Sequence, residues 1–358
     1  MGAGHGHGPP PQSGDKGEAV VQQKGLPITR SGFLRLAGAA LMGTAIVALT
    51  GVGGSAKAAG TASGRGTRLI LLGTAGGPII KAFRSEPSNL LVVDGVPYLI
   101  DAGYGCLRQM VTAGFKPEQL AAVFITHHHM DHDADLANVI SYNWFGGRTA
   151  KLPILGPYGT EAMTKAAFDY LATSERIFNT YERVNADPST FVLAQDIPGD
   201  GEIYRDERVR VTATENTHYR LFKAGPDKSY AYRFDTAERS VVFTGDTGES
   251  EAIVRLARQA DILVSEVIDA EAMIGELLAR NPKMPEPMRK ALSDHMEKAH
   301  LPAEALGKMA EAAGVKMVVL THIVPGGTDS TFDAHPLIAA VKRNYKGPVI
   351  AGRDLLEI

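Results

Sequence analysis

One stretch, Thr126-His127-His128-His129-Met130-Asp131-His132, constrains this chain more than any other. The apolar run from Ala121 to Ile125 leads into it and predicts a buried strand, so the motif sits where a strand gives way to a loop. Four side chains able to bind a metal, His127, His129, Asp131 and His132, fall within six residues. His127 and His129 are two apart and point the same way in an extended segment. Asp131 and His132 follow as the chain turns, so one ion can take the first pair and a second ion the other. Imidazole and carboxylate donors suit zinc. With 11 His in 358 residues, a chance match is on the order of 10⁻⁶ per starting position. A random cluster of surface histidines is a weak rival.

The chain ahead of this motif reads as a leader. Residues 1–25 are rich in Gly, Pro and polar residues and are expected to be disordered. His5 and His7 lie there, apart from the metal motif. A basic start, Arg30 to Arg35, is followed by an uncharged stretch from Leu36 to Ala56 and by Ala56-Lys57-Ala58, a small-x-small cleavage signal. This is the pattern of a secretory signal peptide. Arg30-Ser-Gly-Phe-Leu-Arg35 resembles a twin-arginine export motif with Ser31 in place of the second arginine. The expected location is periplasmic or secreted. The alternative is an uncleaved membrane anchor, since the run is just long enough to span.

At 44% hydrophobic and 22% charged residues, the rest can bury a sizeable core. The expected division is 1–58 as tail plus signal peptide and 59–358 as one catalytic domain. Taking the leader's five basic and two acidic residues from totals of 37 and 40 leaves 32 and 38, a net charge of −6. Nucleic acid is not expected as a partner on that balance, because it selects clustered Lys and Arg. The single cysteine, Cys106, rules out a disulfide within the chain and a cysteine-based zinc site. It reads as a small buried residue.

Thr67 to Gly73 is a strand followed by the glycine-rich turn Thr74-Ala-Gly-Gly-Pro78, which lacks the ending and spacing of a P-loop. Ser88–Val93 and Pro97–Ile100 are strands joined at Asp94-Gly95, a strong hairpin signal. Asp133 to Trp144 reads as a helix, 152–155 as a strand, and a further helix runs through Tyr170. Residues 173–208 resist organisation and are expected as a lip over the site. Strands follow at 209–213, 229–234, 240–243 and 262–266. Residues 267–298 look like a helical insert, rich in Met and carrying His295, which is not expected to be a ligand. Its methionines suit an adaptable apolar wall, although packing on the core is the commoner use. His300-Leu-Pro opens a helix, with Pro302 suited to its first turn, and 317–320 is a strand that delivers Thr321-His322. Asp246, in Thr244-Gly-Asp246-Thr-Gly248, is flanked by glycine at a strand end and is accessible enough to bridge two cations. His335 stays unassigned.

The motif His127-x-His129-x-Asp131-His132 resembles the signature of the metallo-β-lactamase superfamily, and the first strand and turn resemble its ribonuclease Z-like branch. The resemblance covers about residues 67–358 with five separated motifs in order. It implies an α/β fold, the four-layer αββα sandwich. It implies that Asp101 lies beneath the site and supports it through hydrogen bonds. It also makes His218, Asp246 and His322 the remaining ligands. One zinc is then assigned to His127, His129, His218 and Asp246, and a second to Asp131, His132, Asp246 and His322. Two cations lower the pKa of a water held between them and supply a nucleophile near neutral pH. Asp131 is expected to orient that nucleophile, and His300, which opens a helix before the last ligand, to protonate the leaving oxygen.

The function expected from the resemblance is an exported dinuclear zinc hydrolase of an ester bond, similar to arylsulfatase-like and phosphodiesterase members. The alternative is a 3′-tRNA-processing ribonuclease Z, opposed by the export signal, the acidic balance and the lack of a long basic arm. A classical β-lactamase fits less well, because this chain keeps all the Asp ligands. The second alternative is a non-catalytic zinc-binding protein, against which the complete ligand set and a spare His300 both argue. The partners expected are a small-molecule ester, a second copy of the chain at most, and membrane only through an uncleaved leader.

Overall fold

Strands that are apolar on both faces decide how many layers the molecule needs. In β1 (Thr67–Gly73), Leu69 and Leu71 face one way and Ile70 and Leu72 the other, and all four are buried. A sheet built from such strands must be covered on both sides. The computed structural model describes Met1 and residues 65–181, 185–221, 225–327 and 332–358. The expected tail, signal peptide and cleavage site lie outside the described residues.

Further strands are β2 (Ser88–Val93), β3 (Val96–Ile100), β4 (Ala122–Phe124), β5 (Leu152–Gly156), β6 (Val192–Asp196), β7 (Gly201–Arg205), β8 (Arg210–Glu215), β9 (Tyr230–Asp235), β10 (Ser240–Phe243), β11 (Ile262–Ile268), β12 (Val318–Val324), β13 (Val349–Ala351) and β14 (Leu356–Glu357). They form two seven-stranded sheets, ordered β14-β1-β2-β3-β4-β5-β6 and β13-β12-β11-β10-β9-β8-β7. The helices are α1 (Cys106–Thr112), α2 (Met130–Asp133), α3 (Leu136–Phe145), α4 (Thr160–Phe178), α5 (Glu251–Leu256), α6 (Ala270–Arg280), α7 (Glu286–Lys298), α8 (Ala303–Ala313) and α9 (His335–Lys342).

Leu69, Leu71, Tyr98 and Phe124 of the first sheet meet Tyr232, Phe234, Val241 and Phe243 of the second in one inter-sheet core. The Phe124 ring stands edge-on to Phe234, centroids 5.0 Å apart, the arrangement aromatic quadrupoles favour. Ile70, Leu72 and Leu90 pack outward against α1, α3 and α4, and Val242, Leu263 and Leu320 against α5, α8 and α9. This is the four-layer αββα sandwich expected from the sequence. At the β2–β3 hairpin, Asp94 and Gly95 both have positive φ, +50° and +82°, as a two-residue primed turn requires. Cys106 is buried in the outer core.

The structure departs from expectation between Thr173 and Arg208. There is no lip among the described residues there. Helix α4 runs on to Phe178, and β6 and β7 form the outer edges of the two sheets. Edge strands are half exposed, so the apolar alternation that marks a strand is weak in them; β7 has no buried residue. Val267 belongs to β11, and the insert proper is α6 and α7. Its Met273 packs with Ile268, Val324 and Met296, a core contact, while Met288 is exposed.

Candidate metal centre

The candidate residues gather where β4, β8 and β10 end, together with side chains from β11 and β12. β4 runs into Thr126 and His127, and Met130–Asp133 closes into one helical turn that carries Asp131 and His132 inward. His218 opens a 3₁₀ turn three residues after β8, and Asp246 follows β10. His322 lies within β12, not beyond its end, and a bulge turns it inward. Ser265 pairs with Leu320 and Val267 with Ile323, so Glu266 alone opposes both Thr321 and His322. A bulge of this kind re-aims a side chain, and His322 takes a φ of +40° there.

Two groups of donors result. His127, His129, His218 and Asp246 each offer an atom within 4.8 Å of the others, as do Asp131, His132 and His322. His129 Nδ1 lies 3.2 Å from His127 Nε2 and 3.1 Å from His218 Nε2. Asp246 stands between the groups. Its Oδ2 is 3.7 Å from His127 Nε2 and 3.2 Å from His322 Nε2, and its Oδ1 is 3.3 Å from His132 Nε2. Asp131 Oδ2 is 3.5 Å from His132 Nε2 and 3.4 Å from His322 Nε2. The structure thus brings together all seven residues expected as ligands.

The donor set fits a metal. Three imidazole nitrogens converge on one point, where a single proton could serve only one pair. His132 Nε2 and Asp246 Oδ1 are buried and make no hydrogen bond among the described residues, a costly arrangement unless a cation binds there. Burial, then His132, holds His127 well below the usual imidazole range; burial likewise holds His218 down, with Asp246 opposing. Neutral imidazole is the ligating form. Burial disfavours charge on Asp246 too, but His322, His132 and His127 outweigh it and keep it a carboxylate. Burial works against charge on His132, yet Asp246, Asp101 and Asp131 pull it well up. Buried carboxylates so placed demand positive charge, which metal ions supply by displacing those protons.

A second layer fixes the donors. Asp101, at φ +60°, bonds His132 Nδ1 through Oδ2 at 2.9 Å and accepts from the Thr126 N–H at 2.7 Å. His218 Nδ1 contacts the Ala299 carbonyl at 2.7 Å. Gly77 N–H donates to Asp131 Oδ2 at 3.1 Å. A Cβ on Gly77 would stand 2.3 Å from Asp131 Oδ2, and one on Gly76 2.1 Å from Val324 Cγ2. The glycine-rich turn is therefore a close backbone approach to the centre.

His300 is 7% exposed. Its Nδ1 lies 2.8 Å from Glu266 Oε2 and 3.9 Å from Asp246 Oδ2. It groups with Asp246 and His322 as a further potential donor, with its Nδ1 engaged by Glu266. Burial opposes charge on His300, and Glu266 overcomes it, raising the imidazole to about 9. The other oxygen of Glu266 accepts from the Thr247 N–H.

Three residues escaped the sequence reading as parts of this site. Glu266 was visible only as an acid at a strand end. His128, second of the motif histidines, faces away, its Nδ1 3.0 Å from Asp133 and its Nε2 3.0 Å from Thr160 Oγ1, tying the motif to the start of α4. His295 stands at the rim, its ring centroid 5.2 Å from His300 and 5.7 Å from His218. Burial, then His300 and His129, hold it down to about 4. No local signal distinguishes these positions. His335, far along the chain, pairs on the surface with Asp333.

The profile described as "Beta-lactamase superfamily domain" matches residues 97–323. Ribonuclease Z of Mycobacterium marinum is 30% identical over 294 residues, covering 80% of this chain and 96% of the relative. Ribonuclease Z of Mycobacterium bovis is 27% identical over 290 residues, with the same coverage. Among solved structures, the metallo-β-lactamase fold protein YhfI from Bacillus subtilis superposes with a TM-score of 0.58 at 19% identity, over 82% of this chain and 98% of that one.

Proposed function

The chain belongs to the metallo-β-lactamase superfamily, in its ribonuclease Z branch, and from that premise we propose that it is a zinc-dependent phosphodiesterase acting on the 3′ side of a precursor RNA. The observation that carries the hydrolytic reading is Asp246, one buried carboxylate shared by two donor groups, with His300 beside both and bonded to Glu266. His127, His129, His218 and Asp246 would hold one ion, and Asp131, His132, Asp246 and His322 a second. Bound ions would act as Lewis acids and activate a water for attack.

The protein's own groups do the rest. Asp131, pinned by the Gly77 N–H, orients the attacking water. Glu266 holds the His300 ring through Nδ1, so that Nε2 delivers a proton to the leaving oxygen. Asp101 fixes the ring of His132 through its other nitrogen.

The choice of RNA rests on the relatives, which carry the name ribonuclease Z at 25–30% identity. It keeps the ester hydrolysis expected from the sequence, phosphodiester among the candidates, and takes up the ribonuclease Z alternative in place of a small ester, with nucleic acid as the substrate that reading had set aside. The small-ester reading stays second on a specific observation. The cleft beside His129, about 1280 Å³, is lined by Arg220, Lys228, Arg255 and Lys308 but equally by four acids, a balance that suits a polyanion poorly. The test is to offer zinc-loaded protein a precursor tRNA with a 3′ trailer, bis(p-nitrophenyl) phosphate and p-nitrophenyl sulfate. Release of the trailer is expected. Cleavage of the small diester alone would favour the second reading, and no cleavage of any would defeat both.

A further inference from the structure

We propose that Asp354, near the end of the chain, is a positioning residue for the second donor group, because it clamps the glycine-rich turn that holds Asp131 and meets the strand of His322. This rests on the hydrolytic reading above, which assigns Asp131, His132, Asp246 and His322 to one ion. The first observation is how many donors converge on one carboxylate. Asp354 Oδ1 accepts from the Thr74 N–H at 3.1 Å and from Thr74 Oγ1 at 2.8 Å. Its Oδ2 accepts from the Ser85 N–H at 2.6 Å and from Gln109 Nε2 at 2.8 Å. Thr74 and Ser85 bracket one excursion of the chain, and the Ala75 N–H closes its base on the Ser85 carbonyl at 3.0 Å. Arg84 braces the same base, donating to Thr74 Oγ1 at 2.7 Å and to the Gly352 carbonyl at 3.0 Å. Every partner of Asp354 here is a donor, which suits an ionised carboxylate and not an amide.

The second observation is where that excursion goes. The Thr74 carbonyl accepts from the Ile323 N–H at 3.0 Å, and the Gly76 N–H donates to the Ile323 carbonyl at 3.1 Å. The turn therefore pairs with β12 at the residue after His322. One residue on, the Gly77 N–H reaches Asp131 Oδ2. Both contacts fall on the second group. Gly76 and Gly77 have no side chains to anchor the turn by packing, and glycine backbone is free to move. The position of the turn must then come from hydrogen bonds, and Asp354 supplies those at both sides of its base. The chain end does not need Asp354 to dock. Leu355 N–H already donates to the Leu71 carbonyl at 2.7 Å, and Leu69 and Ile358 exchange backbone bonds at 2.9 and 2.8 Å.

The experiment compares Asp354→Asn, Asp354→Ala and Gln109→Ala in full-length protein. It reads melting temperature, the affinity of each of two zinc ions by titration of metal-free protein with an indicator, and kcat for bis(p-nitrophenyl) phosphate at limiting and excess zinc. Affinity for the second ion should fall about 10-fold in both Asp354 variants, as when a supporting partner of a ligand is lost, with the first ion unchanged. Turnover should fall at limiting zinc and recover at excess. Gln109→Ala removes the one donor outside the excursion, so it should lower the melting temperature and leave both affinities as they are. A folded Asp354→Asn with wild-type affinity for both ions would reduce Asp354 to a support of the fold. Equal loss of both ions, or a wild-type protein that takes only one, would also overturn the proposal. Should the Asp354 variants fail to fold, Thr74→Val, which removes only the hydroxyl bond, decides by the same titration: second-ion affinity weaker than wild type supports the clamp, and wild-type affinity overturns it. If two ions bind and no ester is hydrolysed, the hydrolytic reading fails while the titration still decides the clamp.

Discussion

Asp246 must face two donor groups with a single carboxylate, and its burial leaves no water to replace a lost partner. Asp246→Ala is therefore expected to disturb both groups, with wild-type protein approaching two zinc ions per chain by metal analysis and the variant well below one. His218→Ala should weaken mainly the first group and His322→Ala the second. A wild-type protein that never exceeds one ion after loading would defeat the two-ion assignment. His300 makes a different prediction, because its engaged nitrogen faces Glu266. His300→Ala should keep its metal and lose roughly 10²–10⁴-fold in turnover, the range of general acid–base catalysis. The loss should shrink for a nitrophenol leaving group, which needs little protonation. Equal losses for activated and unactivated esters would strip His300 of this role.

Two elements bring the chain unusually close to the centre. The Thr74–Pro78 turn leaves no room for a Cβ at Gly77, so Gly77→Ala must push Asp131 away. Zinc affinity of the second group is expected to fall about 10–100-fold, as when a supporting partner of a ligand is lost, and titration with a zinc indicator would measure it. Unchanged affinity would mean that the turn can retreat. The other element is the bulge between β11 and β12, which sets Glu266 against both Thr321 and His322. Glu266 thereby reaches His300 at 2.8 Å and approaches His322 Nδ1 at 3.8 Å. One residue more or less in either strand would turn one of these side chains to the other face.

At the scale of the whole molecule, ligands from distant parts of the chain are buried together, so ion binding should stabilise the fold. At free zinc 100-fold above its dissociation constant the gain is about 2.7 kcal/mol, and chelation should lower the melting temperature accordingly. A melting temperature indifferent to chelator would mean that the groups do not hold zinc. Export is argued from the chain ahead of this unit. We propose that the leader is removed after Ala58, so N-terminal sequencing of protein recovered outside the cytoplasm should start at or near Ala59. Full-length protein confined to the cytosol would remove that proposal and strengthen the RNA reading.

What the sequence determined by itself was whatever local pattern encodes. Apolar runs marked the buried strands, Asp94-Gly95 the hairpin, and the spacing from His127 to His132 the metal motif, each within a few residues. His218, Asp246 and His322 were legible only through family resemblance, since single residues after strands carry no signal alone. The tertiary structure alone decided the rest. Glu266 and His300 are 34 positions apart, and His218 and Ala299 81 apart; no local periodicity encodes such pairs. Edge strands β6 and β7 hid because exposure erases the alternation that marks a strand. Gly77 gained its meaning only when Asp131, 54 residues on, came within hydrogen-bond reach.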